Sequence, residues 1–99
     1  MTAMATLHER KTYRKAVLKS LYGAVERNRP NVSGLTLRDL LGLTEEDLSA
    51  ACVYLAGEGL IAVDWTSHKT PATVSLTHEG IRFMEGEEEE QSNSPAQGD

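Results

Sequence analysis

Cysteine occurs only once in the sequence, at position 52, so no intramolecular disulfide can form. A single thiol fits a reducing compartment, and we expect a cytoplasmic protein. No apolar run approaches the roughly 18 residues that a membrane-spanning helix needs, and the N-terminal residues lack the apolar core of a signal peptide. The sequence therefore argues against a small secreted protein stabilised by disulfides and predicts no contact with a membrane.

Residue patterns that carry catalysis or metal binding are also missing. The histidines at positions 8, 68 and 78 have no ligand-like spacing to one another or to Cys52. No Ser-His-Asp set, carboxylate pair or Gly-rich phosphate loop stands out. A chain of 99 residues buries only roughly 60–65% of its extended-chain surface, which leaves no room for a deep catalytic cleft. We therefore predict a protein that is not an enzyme and has no cofactor and no metal site.

The formal net charge of −5 is concentrated at the C-terminus. Residues 1–85 contain all ten Lys and Arg together with ten of the fifteen Asp and Glu. The other acids fall in residues 86–99, whose low apolar content predicts a disordered acidic tail. The simpler interpretation of this tail is that it aids solubility, and the alternative is that it folds back on basic residues. We also expect residues 1–6 to be disordered, which leaves residues 7–85 as one folded domain.

A first long helix is predicted over about residues 7–28. Apolar residues recur there at the spacing of one helix face: Tyr13, Val17, Leu21 and Val25. Basic residues are concentrated in the N-terminal half of this helix, away from the apolar face: Arg10, Lys11, Arg14 and Lys15. The simpler interpretation of this basic patch is a solvated helix face, and the alternative is a surface for phosphates or an acidic partner.

Two shorter helices joined by a tight turn are predicted next. Thr36 is the expected N-cap of the first and Gly42 its end, with the leucines at 37, 40 and 41 facing inward. Thr44 is the expected N-cap of the second, whose first turn carries acids that suit the positive end of a helix dipole: Glu45, Glu46 and Asp47. Its inward stripe is predicted to be Leu48, Ala51, Cys52 and Leu55. Such a pair of helices forms a helix-turn-helix.

After Gly59 the apolar spacing changes from the helical period to alternation. Inward residues are expected from two strands: Ile61, Val63 and Trp65 on the first, and Val74 and Leu76 on the second. Polar residues 67–71 join the strands, which predicts a β-hairpin, and Val32 or Leu35 is a candidate for a short edge strand. Thr77 is the expected N-cap of a short last helix over residues 77–85. The predicted class is mostly α with a β-hairpin (α+β).

Two junctions in the chain carry a resemblance to a known superfamily. Residues 55–61 (LAGEGLI) resemble the helix-to-wing junction of winged helix-turn-helix proteins, and residues 74–81 (VSLTHEGI) resemble their strand-to-helix ending. The nearest types are small bacterial regulators of the multiple-antibiotic-resistance and arsenic-repressor kinds. The resemblance covers roughly residues 8–85 and implies a winged-helix DNA-binding transcriptional regulator. The resemblance also suggests that the chain forms a homodimer, although antibiotic-resistance regulators are longer and dimerise through extra helices.

In such regulators the second helix of the motif enters the major groove of double-stranded DNA. Carried onto this chain, its outward positions are Thr44, Glu45, Glu46, Ser49, Ala50, Val53 and Tyr54. The resemblance implies further contacts from Arg38 and from the hairpin, or wing, at His68 and Lys69. The second helix has no Lys or Arg, however, whereas most DNA contacts go to phosphate oxygens. An alternative therefore stays open, namely a winged-helix protein-interaction module that does not bind DNA.

Overall fold

The computed structural model describes the backbone of residues 6–92 and the side chains of residues 6–87. This part of the chain forms four helices and a three-stranded antiparallel sheet. The elements are α1 (Leu7–Glu26), β1 (Val32–Ser33), α2 (Gly34–Leu41), α3 (Glu45–Gly57), β2 (Ile61–Trp65), β3 (Pro71–Leu76) and α4 (His78–Ser92). The order and type of the elements agree with the predicted α+β class.

Helix α1 begins with a reciprocal capping box. The Thr6 hydroxyl accepts a hydrogen bond from the Glu9 N–H at 3.1 Å, and the Glu9 carboxylate accepts one from the Thr6 N–H at 2.9 Å. These bonds satisfy two backbone donors at the start of the helix. Thr6, which we predicted to be disordered, is therefore the N-cap of α1. The other residues of the two predicted disordered ends, 1–5 and 93–99, lie outside the described part of the chain.

Helix α2 is capped by Ser33, so the prediction of Thr36 as its N-cap was wrong. The Ser33 hydroxyl accepts from the Thr36 N–H at 3.0 Å. Gly34, the first residue of the helix, packs closely against β3. A Cβ at this position would overlap the carbonyl oxygen of Pro71, so only glycine allows the two backbones to approach this closely. Leu37 is fully buried, but Leu40 was predicted to face inward and is 67% exposed. In this eight-residue helix the inward line continues through the half-buried Leu41 instead.

Helix α3 follows the prediction closely. The Thr44 hydroxyl caps it by accepting from the Asp47 N–H at 3.0 Å. The predicted inward stripe is fully buried, and Gly59 just beyond the helix has a φ of 78°, in the left-handed region that favours glycine. The core lies between α1, α3 and the sheet, and its buried residues are Val17, Leu18, Leu21, Leu37, Leu48, Ala51, Cys52, Leu55, Ile61, Val74, Leu76 and Met84.

The sheet has the order β1-β3-β2, and its two longer strands form the predicted hairpin. Val32 lies opposite Val74, which confirms the short edge strand. Trp65 was predicted to face the core but is 40% exposed. The pairing register shifts between Asp64 and Trp65, and such an irregularity breaks the two-residue alternation on which the prediction rested.

The two junctions that carried the resemblance contact each other. The Thr77 N–H donates to the carbonyl oxygen of Leu60 at 3.0 Å, and the Thr77 hydroxyl donates to that of Gly59 at 2.6 Å. A Cβ on Gly80 would overlap the Leu60 carbonyl oxygen, so a glycine there lets α4 approach the α3–β2 connection. We call these four residues (Gly59, Leu60, Thr77 and Gly80) the junction clamp.

Helix α4 is longer than predicted. Thr77 caps it as expected by accepting from the Gly80 N–H at 3.0 Å, but the helix continues past Glu85 to Ser92. Low apolar content suggested disorder beyond residue 85, whereas Glu and Gln are themselves good helix formers. Met84 is buried while Phe83 is 45% exposed, so Met84 is the inward residue of this turn. In the described part of the chain, no helix combines the length and apolar character that crossing a membrane requires.

Candidate functional site

The outward side of α3 forms a continuous solvent-facing surface. Of the predicted contact positions, Thr44, Glu45, Glu46, Ala50 and Val53 are exposed, and Ser49 is half-buried. Residues 46, 49, 50 and 53 follow the spacing of one helix face, away from the buried stripe. Val53 alone leaves 60% of its area in contact with solvent. The structure therefore brings these residues together at the outer edge of the helix-turn-helix.

The electrostatics of this surface are acidic. Helix α3 contains no Lys or Arg, and its first turn carries three acids. Arg38 of α2 reaches toward it, with its Nη1 atom 3.9 Å from the Glu45 Oε2 atom, and this is the one ion pair within residues 6–87. Because both side chains are exposed to solvent, the pair contributes about 0–1 kcal/mol to stability. Its main effect is to hold a cation beside the start of α3.

The wing ends in a turn whose backbone is held by Thr66. The Thr66 N–H donates to the Thr70 carbonyl oxygen at 2.8 Å, and the Thr66 hydroxyl accepts from the N–H groups of His68 and Thr70 at 3.1 and 3.2 Å. Lys69 adopts a φ of 63° and donates its N–H to the Thr66 carbonyl oxygen. His68 and Lys69 are both exposed. The turn therefore presents one cation and one imidazole to solvent on a defined backbone.

Tyr54 lies apart from the other predicted contact residues. The guanidinium carbon of Arg14 in α1 is 3.6 Å from the centre of the Tyr54 ring, which is the geometry of a cation–π contact. Tyr54 is therefore directed to the α1 side of α3, whereas Ala50 and Val53 stay exposed on the outer side. Arg14 in turn is only half-exposed.

A groove of about 590 Å³ lies between α1, the C-terminal end of α3 and α4, and we call it the α1–α4 groove. Three members of the predicted basic patch line it (Lys11, Arg14 and Lys15), whereas Arg10 is exposed outside it. Reasoning from sequence missed several lining residues: Lys19, Tyr22, Phe83 and Glu87. The four-residue spacing of Lys11, Lys15 and Lys19 was the available signal for the first, but the others required knowledge of how α4 packs.

The pKa values of Cys52 and Tyr13 are shifted from their ordinary values. Burial raises the pKa of the Cys52 thiol to about 11, which fits an inert side chain in the core. Desolvation, followed by the carboxylates of Glu9 and Asp47, raises the pKa of Tyr13. Within residues 6–87 no three His, Cys, Asp or Glu side chains are grouped so that they could hold a metal ion.

Two solved structures share this fold. NMB1585, a MarR family regulator from Neisseria meningitidis, is 22% identical with a TM-score of 0.57, over 86% of this chain and 60% of its own. A double mutant of ZitR from Lactococcus lactis in apo form is 15% identical with a TM-score of 0.61, over 91% of this chain and 66% of its own. The chain thus spans about three fifths to two thirds of the length of these proteins. No protein-family model and no curated protein sequence matches it.

These likenesses confirm the predicted winged helix-turn-helix fold. Helices α2 and α3 form the helix-turn-helix, and the hairpin of β2 and β3 forms the wing. At such low identity the likeness concerns the fold alone.

Proposed function

We propose that this chain is a cytoplasmic, non-enzymatic transcription regulator that binds double-stranded DNA through the outward side of α3 and the wing. One observation supports this proposal above the others. The exposed face of α3 belongs to the helix-turn-helix of a fold shared with a MarR family regulator, and the wing tip of the same domain presents Lys69 to solvent. In winged-helix DNA binding, a helix in this position enters the major groove.

Phosphate contacts would come from outside α3, because that helix has no cation. Lys69 at the wing tip, Arg38 beside the start of α3 and the exposed Arg10 in α1 are the candidates. With about two or three phosphates neutralised, the logarithm of affinity should fall with the logarithm of salt concentration at a slope of about −2 to −3. Glu45 and Glu46 would serve readout, since a carboxylate accepts a hydrogen bond from cytosine N4.

A second candidate function is a protein-interaction module. It is favoured by the exposed Ala50 and Val53, which lie on a helix whose first turn is acidic and which carries no cation. Phosphates would be repelled by that turn, whereas a protein partner with a basic and apolar surface would not be. The two candidates differ in whether duplex DNA binds at all.

Fluorescence anisotropy of a labelled random-sequence duplex separates them. The wild-type chain should bind at micromolar concentrations in low salt and weaken as salt is added. Lys69→Ala should weaken binding and reduce the salt slope by about one. Arg82→Ala is the matched control, because it removes the same charge from an exposed position on α4, where we place no DNA contact. If the wild-type chain does not bind in low salt, the protein-interaction module becomes the better proposal.

A further inference from the structure

Helix α1 presents two parallel rows of side chains to the α1–α4 groove. Lys11, Lys15 and Lys19 form the first row. Their positions differ by four, so successive members are about 6 Å apart along the helix axis. Arg14, Leu18 and Tyr22 form the second row at the same spacing. A line of cations therefore runs beside a mainly apolar line.

The other walls of the groove contribute apolar side chains as well. Helix α3 contributes Tyr54 and Leu55, and α4 contributes Phe83 and Met84. Phe83, the one phenylalanine of the chain, keeps 45% of its area exposed to solvent. Contiguous apolar surface rimmed by charged residues is typical of an interaction site. The groove therefore combines an apolar floor with a basic rim.

The lysine row has no ionic partner among residues 6–87, where the one ion pair is Arg38 with Glu45. The groove is also not basic throughout, because three carboxylates line it as well: Glu26, about 18 Å along α1 from Arg14, Glu58 and Glu87. A continuous polyanion such as a nucleic acid strand would meet these carboxylates. An amphipathic helix differs from a polyanion, since it can place its acids beside the lysine row of α1 and apolar residues elsewhere.

We propose that the α1–α4 groove binds an acidic amphipathic helix of a partner protein. Carboxylates at positions i, i+4 and i+8 of that helix repeat at about 6 Å, the spacing of Lys11, Lys15 and Lys19. Apolar residues on the adjacent face would cover Phe83 and the apolar row of α1, as in other complexes in which a helix occupies a groove. This interaction does not depend on DNA binding.

The test is a titration of the full chain with a fluorescein-labelled peptide of about 18 residues, a length at which helices begin to form in water. The peptide carries three Glu at four-residue spacing, with Leu and Phe on the adjacent face. The matched control peptide replaces each Glu by Gln and keeps every apolar residue. We expect the Glu peptide to bind at least about tenfold more tightly than the Gln peptide in low salt.

Variants of the chain locate the site. Lys15→Glu combined with Lys19→Glu should weaken binding of the Glu peptide by at least about tenfold, since two attractions become repulsions. Phe83→Ser should weaken both peptides, because it removes apolar contact area. Arg29→Glu, at an exposed position outside the groove and with no role in the proposed DNA binding, is the control and should leave peptide binding unchanged. All these positions are exposed, so the variants should fold, and circular dichroism checks this.

Three results would overturn the proposal. Equal affinity for the two peptides, or no binding of either, would mean that the lysine row does not select acids. Self-association of the chain in sedimentation experiments, abolished by Phe83→Ser, would assign the groove to a second copy instead. Binding of single-stranded DNA that is lost in the Lys15→Glu and Lys19→Glu variant would assign it to nucleic acid.

Discussion

The hydroxyl group of Thr77 donates a 2.6 Å hydrogen bond to the backbone carbonyl oxygen of Gly59, 18 residues earlier in the chain. The same hydroxyl accepts from the Gly80 N–H and so caps α4. One side chain therefore joins the end of α3 to the start of α4. Since α3 and α4 both line the α1–α4 groove, the junction clamp helps to set the position of its walls.

The junction clamp should not tolerate a side chain at position 80. In Gly80→Ala the new methyl group would overlap the Leu60 carbonyl oxygen, and we expect a loss of about 1–3 kcal/mol in the free energy of unfolding. Gly57→Ala is the matched control, because nothing lies within 4 Å of its added Cβ and the residue is helical. It should be neutral or stabilising by up to about 1 kcal/mol. Urea denaturation of both variants measures the difference, and equal stabilities would contradict this packing.

Alkaline pH should destabilise the protein through Cys52. Its pKa is about 11 in the fold against an ordinary value of 9.0, so the fold favours the neutral thiol. This contribution is complete below pH 9 and is lost as pH rises through about 11, by up to about 2–3 kcal/mol. Cys52→Ala, compared with wild type by urea denaturation across this range, should lack that part of the decline. Parallel pH profiles for the two proteins would show that the thiol titrates normally.

The contact between Arg14 and Tyr54 should couple α1 to α3. A double-mutant cycle with Arg14→Gln and Tyr54→Leu should give a coupling free energy of about 0.5–1 kcal/mol, the usual size for an exposed cation–π pair. The cycle of Lys15→Gln with Tyr54→Leu is the control, since Lys15 lines the same groove without this ring contact. A coupling near zero in the first cycle would mean that the contact adds nothing to stability.

Removing acids from the start of α3 should strengthen DNA binding. Glu45→Gln with Glu46→Gln removes two charges that would repel phosphates and releases Arg38 from its ion pair. We expect a gain in affinity of about 3- to 10-fold for a random-sequence duplex in low salt. Glu79→Gln with Glu85→Gln removes the same charge from exposed positions of α4 and controls for net charge. Equal gains in both variants would show that the location of the acids is irrelevant.

Much of the fold could be predicted from sequence because local signals agree with one another. In α3 the N-cap Thr44, the inward stripe and the following Gly59 each mark the same helix, and packing did not overrule them. The capping of α2 was different. Ser33 and Thr36 are both good caps by chemistry, and the close approach of Gly34 to β3 favours the earlier start. That contact depends on a strand almost forty residues later in the chain.

The candidate site was less predictable, since its surfaces depend on which elements pack together. Alternation in β2 placed Trp65 in the core, but the register shift after Asp64 is set by the pairing with β3. Burial of Met84 in place of its neighbour Phe83 is also decided by how α4 packs. The α1–α4 groove likewise exists only once α1 and α4 meet, so its basic residues could be identified in the sequence but its walls could not.

The most direct test of DNA binding is to record ¹⁵N–¹H correlation spectra of the full chain with and without a random-sequence duplex in low salt. Binding through α3 and the wing should shift the backbone amides of Thr44, Ala50, His68 and Lys69 most strongly. The amides of Lys19 and Phe83, which line the α1–α4 groove, should change little. The proposed DNA-binding function would be contradicted by unchanged spectra. It would also be contradicted if the amides of the groove shifted while those of α3 and the wing did not.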